Sequence, residues 1–215
     1  MSREKDDRPR KNRGEFVAEG GPRTRRRRAE ILDAAAHVFA SKGFHGATTQ
    51  DIADVLGIRQ ASLYYYFSSK EEALEAVCLM GAEGFYEQAK EVMSGDGDAR
   101  SKVAALVASH LAPLATKPDY IKAFLHQRQF LPGASRRKIG RWSRGLERLF
   151  ERAISGGIAT GEFRAGLDAR VATLGILGML NGVPAWIGKE GRDLSSIVEQ
   201  ISDLAIGCLE AKDRL

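Results

Sequence analysis

One stretch constrains this chain more than any other: residues 48–67, TTQDIADVLGIRQASLYYYF. It reads as two short helical segments separated by a glycine. Thr48 is placed to cap the first segment, with Asp51 three residues on in the reciprocal position of a capping box. Ile52, Val55 and Leu56 then share one helical face. Gly57 supplies the turn, because glycine adopts a left-handed backbone at little cost. The second segment directs Ile58, Leu63 and Phe67 inward and leaves Gln60, Ala61, Ser62 and three tyrosines on the other side. A helix, a glycine turn and a helix with a polar, aromatic outer face make the helix-turn-helix pattern, whose second helix enters the DNA major groove.

The charge lies beside that pattern. Residues 1–70 carry 14 Lys and Arg against 9 Asp and Glu, whereas residues 71–215 hold 19 of each. The whole net charge of +5 therefore sits in the first third of the 215-residue chain. A basic head on a neutral body suits a module that meets a polyanion at one end. No run of about twenty apolar residues exists, so no membrane span is expected, and the charged N-terminus is not a secretory signal. Cys78 and Cys208 are isolated in sequence and read as buried thiols in a reducing cytoplasm.

Residues 1–22 are polar and read as a disordered basic arm. The run RTRRRR from Arg23 then leads into a helix with Ile31, Leu32, Ala35, Val38 and Phe39 at helical spacing, stopped at Lys42-Gly43. Residues 24–77, with Phe39 and Gly43, then TTQDIADVLGI, then SLYYYFSSKEEAL, resemble the DNA-binding domain of TetR-family transcriptional regulators. The resemblance implies an all-α homodimer of about nine helices per subunit. Its N-terminal three-helix helix-turn-helix domain binds DNA, and a larger helical domain senses a ligand and dimerises. The expected division is 1–22, 23–68 and 69–215.

By position in the family pattern, Gln50, Arg59, Gln60, Ala61, Ser62 and Tyr64 face bases, and Thr49, Tyr65, Tyr66 and Lys70 face phosphates. Arg25 and Arg26 join the phosphate or minor-groove contacts. Arg59 stands where a typical member has serine, which weakens the helix cap but offers a side chain suited to guanine.

Ser69 caps the next helix, which runs with Leu74, Val77, Cys78, Gly81, Phe85 and Val92 inward to the GDGD turn at 95–98. That turn is no calcium loop, since the twelfth position from Asp96 is Val107 and not glutamate. Further helices follow. One carries Val103 to Leu114 and ends before Lys117-Pro118, and one starts at Pro118 and stops at Pro132-Gly133. A longer one presents Ile139, Trp142, Leu146, Leu149, Phe150, Ile154 and Ile158. Asp168 caps a segment that is apolar nearly all round, expected to be buried on most faces. A final helix carries Ile197, Val198, Ile201, Leu204, Ala205 and Cys208, and in the family this last pair forms a four-helix bundle with its symmetry mate.

No metal-ligand spacing, nucleophile elbow or phosphate loop is present, so neither an enzyme nor a cofactor is expected. Phe124, Arg128, Phe130, Trp142 and Leu146 are the candidate lining of an effector cavity, although each also serves as core. The cluster RRKIGRWSR gives such a cavity a basic mouth that suits an amphipathic anion such as an acyl-coenzyme A thioester. More weakly, this segment resembles regulators of fatty-acid or sterol catabolism. The reading is a repressor released from a palindromic double-stranded DNA operator by a small molecule. A multidrug or aromatic-compound sensor and a non-specific architectural DNA-binding protein are the alternatives.

Overall fold

The structure is a computed structural model that describes residues 22–210, and the sequence-based reading of residues 1–22 as an arm lies outside them except for Pro22, which opens the first helix. Every regular element among the described residues is helical, in ten α-helices and three short 3-10 turns. The head is α1 (Pro22–Gly46), α2 (Thr49–Val55) and α3 (Gln60–Leu63). The body is α4 (Lys70–Ser94), α5 (Ala99–Leu111), α6 (Pro113–Thr116), α7 (Pro118–Gln127), α8 (Gly133–Thr160), α9 (Ala169–Gly182) and α10 (Leu194–Leu209). No helix among the described residues is long and apolar enough to cross a membrane.

Local chemistry sets most of these boundaries. Thr48 and Asp51 form the expected capping box of α2, and Gly57 turns the chain with φ of 62°. Side-chain oxygens of Ser69, Asp98, Asp168 and Asp193 cap α4, α5, α9 and α10. The second aspartate of the GDGD turn is thus a helix cap. The helix expected to run on towards Lys117 instead breaks at Ala112, because Pro113 cannot continue its ladder and opens α6. The recognition segment is a single α-helical turn, prolonged by hydrogen-bonded turns to Phe67.

The centre of the molecule is α4. Its residues Ala73, Leu74, Val77, Cys78, Ala82, Phe85 and Ala89 are buried, and it packs against α1, α5, α7 and α8. One apolar core runs from Ile31, Phe39, Ile52 and Leu63 in the head to Leu106, Phe150 and Leu180 in the body. Burial pushes the Cys78 thiol up to about 12. Three expectations are corrected here. Val55 is 54% exposed, since α2 is too short to turn a third apolar residue inward. Cys208 is exposed rather than buried. α9 is not covered on most faces: Val171 and Leu174 are 65% and 48% exposed, and Leu204 of α10 is 57% exposed. Ile197, Ile201 and Ala205 are covered within the subunit itself.

The body core holds one buried imidazole. The ring of His110 stacks on Phe85 at 4.5 Å, and its Nε2 lies 3.2 Å from Asn181 Oδ1. Burial pushes its pKa down to about 4, against the opposing pull of the Asn181 hydrogen bond. Protonation therefore favours the unfolded chain. The His110 contribution is complete above about pH 6.5 and is lost as pH falls towards 4, at about 1.4 kcal/mol per pH unit. Denaturant melts are expected to show that wild type loses about 2 kcal/mol more than a His110→Phe variant between pH 6.5 and pH 5.

Candidate functional site

The head presents a polar outer face around α2 and α3. Gln50, Arg59, Ala61, Ser62, Tyr64 and Tyr65 are exposed, with Tyr65 at 73%. Arg59 precedes α3 without a side-chain cap bond, as its residue type dictates. Gln60 is half-buried, and its Nε2 donates to Thr49 Oγ1 at 2.7 Å. The Thr49 hydroxyl also lies 3.3 Å from the Tyr64 hydroxyl. These contacts join α2 to α3 on the outer face of the head and engage one donor of Gln60. Gln50 Nε2 donates to Asp54 Oδ1 at 2.6 Å, a bond within α2 that base binding would have to open.

A cationic cleft of about 480 Å³ flanks this face, lined by Arg23, Thr24, Arg26, Arg27, Glu30 and Tyr66. Arg27 and Arg26 pair with Glu30 at 2.7 and 3.3 Å, and the Arg27 hydrogen bond is the main reason its carboxyl is held below the ordinary range. The expected phosphate residues Arg26 and Tyr66 are thereby brought together, with Arg25 one position along α1. At the other end of the head, Lys42 and Thr48 hold the Asp51 carboxyl down to about 2.

Lys70 is corrected. Its ammonium turns inward, donating to the carbonyls of Phe44 and Ala47 at 2.8 and 3.0 Å and lying 4.4 Å from the Phe44 ring centre. It ties α4 to the turn between α1 and α2 rather than standing free on the outer face. Orphan carbonyls at the end of a helix draw a nearby cation for the same reason that a helix C-terminus does.

The expected effector lining is mostly core. Phe124 and Leu146 are buried in the apolar cluster, and the Arg128 guanidinium sits 4.7 Å over the Phe124 ring. Phe130 is exposed and stacks on Phe44 of the head at 5.9 Å. Trp142 borders an open groove of about 430 Å³ with Tyr86, Lys138, Arg141, Gly145 and Arg148. The Tyr86 and Trp142 rings lie 5.3 Å apart. Gly145 makes this possible, since a Cβ there would stand 2.8 Å from two carbons of the Tyr86 ring. Lys138 connects this groove to a cleft of about 710 Å³ along α4, where it pairs with Glu75 at 3.3 Å and Ser135 donates to the same carboxylate at 2.6 Å.

Sequence reasoning did not single out a second, apolar cavity of about 330 Å³. Met80, Gly81, Gly84 and Phe85 of α4 face Ala112, Pro113 and Thr116 and the Tyr120 and Ile121 pair of α7 across it. The glycines at 81 and 84 were the available signal, as they remove side chains from one face of α4.

Comparison with known proteins matches two family models. Residues 31–77 match bacterial regulatory proteins of the tetR family, and residues 96–209 match the tetracyclin repressor-like C-terminal domain. The chain belongs to the TetR family. It is a DNA-binding transcriptional regulator. A curated relative, the fatty acid metabolism regulator protein of Bacillus subtilis (strain 168), is 27% identical over 187 residues, spanning 85% of this chain and 95% of its own. The crystal structure of FadR from Bacillus subtilis in complex with stearoyl-CoA aligns at a TM-score of 0.71, with 25% identity over 85% of this chain and 99% of that one. AibR in complex with isovaleryl coenzyme A and operator DNA aligns at 0.74, with 25% identity over 85% and 97% of the two chains.

In this TetR-family regulator the sequence pattern places Gln60 on a base, and its bond to Thr49 would set a cost on that readout. Gln60→Ala is expected to weaken binding to the preferred operator by about 1–3 kcal/mol and to relax selection at one base position. Binding to random DNA of equal length should change far less. Anisotropy titrations on the two DNAs check it, and equal losses on both would remove Gln60 from readout.

Proposed function

We propose that this protein represses transcription as a homodimer on a palindromic operator and that an acyl-coenzyme A thioester releases it. The head at 23–68 reads DNA through Gln50, Arg59, Gln60, Ala61, Ser62 and Tyr64, with Thr49, Tyr65, Tyr66, Arg25 and Arg26 on phosphates. The body at 69–215 dimerises and takes the effector, in the cytoplasm. The observation that carries the ligand class is the groove in which Lys138, Arg141 and Arg148 surround the Tyr86 and Trp142 rings. Three cations suit the phosphates of a coenzyme A nucleotide, and paired rings suit its base. The relatives crystallised with stearoyl-CoA and with isovaleryl coenzyme A plus operator DNA support the same class. A sensor of cationic drugs would need buried acids or an aromatic cage, and this groove is lined by cations instead.

The dimer rests on the exposed apolar stripe of Val171, Leu174, Gly175 and Gly178 on α9 with Leu204 on α10. An apolar depression of about 530 Å³ between these helices, reaching Met179 and Cys208, extends that surface. A second copy covers it by the self-complementary contact of a two-fold axis and sets two heads on successive major grooves. Leu174→Asp would strand a charge in this seam without touching the subunit's own core. Sedimentation is expected to show a monomer for this variant and a dimer for wild type.

Titrating operator-bound protein with stearoyl-CoA and with isovaleryl-CoA tests the effector. Release by at least one is expected. An Arg141→Ala, Arg148→Ala double variant should need about tenfold or more thioester for half-release while binding operator as wild type does. Identical release curves would remove the groove from the site, and no release by any thioester would remove the ligand class.

A further inference from the structure

The helix α7 touches both ends of the regulator. Its first turn supplies Tyr120 and Ile121 to the apolar cavity. The Tyr120 hydroxyl, at the edge of that cavity, donates to Asp33 Oδ1 of α1 at 2.8 Å. Its neighbour Asp119 lies 3.0 Å from His37 Nδ1, also on α1. At the other end of α7, Gln127 Oε1 accepts the Phe44 N–H at 2.8 Å, in the turn that leads from α1 to α2. The following 3-10 turn lays Phe130 nearly parallel to the Phe44 ring, at 13°, and against His45 at 4.5 Å.

Phe44 is therefore gripped from two sides. Its N–H is held by Gln127 of α7, and its carbonyl is held by Lys70 of α4. The same two helices form facing walls of the apolar cavity, through Met80, Gly81, Gly84 and Phe85 on one side and Tyr120 and Ile121 on the other. A helix moves as a rod, so whatever separates α4 from α7 at the cavity must shift their grips on Phe44 relative to each other. The joint that would absorb this is Gly43, which breaks the helical path of α1 with φ of 68°.

We infer that α7 positions the reading head, with Gln127 as the positioning residue, and that an apolar group filling the cavity beside Tyr120 acts on DNA binding by parting α7 from α4. This rests on the effector-responsive reading above and names the element that carries the response. The occupant is an apolar chain, because Met80, Phe85, Ala112, Pro113 and Ile121 with the bare backbone of two glycines make most of the wall, and Gln88, Thr116, Lys117 and Tyr120 complete the lining. A ligand acts through such a device only by fitting the parted arrangement better than the closed one.

The experiment uses the full-length protein and needs no effector. Gln127→Leu removes the acceptor for the Phe44 N–H, whereas Gln127→Glu keeps a carboxylate oxygen there. Hydrogen exchange of peptides covering residues 44–63 is expected to speed up about tenfold or more in Gln127→Leu and to stay near wild type in Gln127→Glu, with body peptides unchanged. Gly84→Leu serves as a built-in occupant, since a Cβ at Gly84 meets nothing within 4 Å. It is expected to weaken operator binding about tenfold or more in wild type and to have little further effect in the Gln127→Leu background. Unchanged exchange in Gln127→Leu overturns the positioning role, and wild-type operator affinity in Gly84→Leu overturns the cavity's part in it. A wild-type protein with no preference for a palindromic operator would instead defeat the repressor reading, and the exchange result would still decide the role of Gln127.

Discussion

The apolar stripe along α4 is the constraint on which the rest of the structure depends. Leu74, Val77 and Cys78 close the head core from below, and Ala82, Phe85 and Ala89 continue into the body without interruption. Burial of each large side chain of this stripe stabilises by about 1.5–3 kcal/mol, so the helix is held more strongly than any of its polar contacts. The head, with two of its three helices very short, would bury too little apolar surface to stand without it. DNA reading and ligand sensing thus share one core, and a change of packing in one is felt in the other.

Polar groups are then placed where that core leaves them. Charge at the outer face of α1 stands beside Tyr66, and a second set of cations gathers on α8 around Trp142. In the proposed reading the two sets serve different anions, a DNA backbone at one end and a coenzyme A nucleotide on the flank. Between them lies the cleft lined by Arg28, Glu72, Glu75, Glu83 and Lys138, in which Glu75 pairs with Lys138. The apolar cavity opens on the neighbouring face of α4, sharing Met80 and Gly84 with that cleft. An amphipathic molecule would meet a basic, aromatic surface and an apolar one along the same helix.

Tight coupling also explains why the head is not simply hung on a linker. Phe44 has Phe39 and Phe130 against its ring, Lys70 over its face, and both backbone polar groups taken by residues outside the head. Buried backbone groups must be paired. Here the partners come from the two helices that line the cavity, so satisfying the turn and reporting on the body are one and the same contact.

What the sequence by itself determined was local. The capping box at Thr48, the turn at Gly57 and the caps at Ser69 and Asp168 all follow from local spacing and residue type, and each stands as read. Tertiary structure decided what those elements meet. Lys70 belongs to Phe44, 26 residues away, and Gln127 reaches the same residue across 83. No periodicity encodes such pairs, so neither the grip of Lys70 on Phe44 nor the stacking of Phe130 on it was legible in the sequence. The same holds for α9 and α10: their apolar content was legible, but which face the subunit covers, and which it leaves for a second copy, depends on how α5 and α8 pack against them.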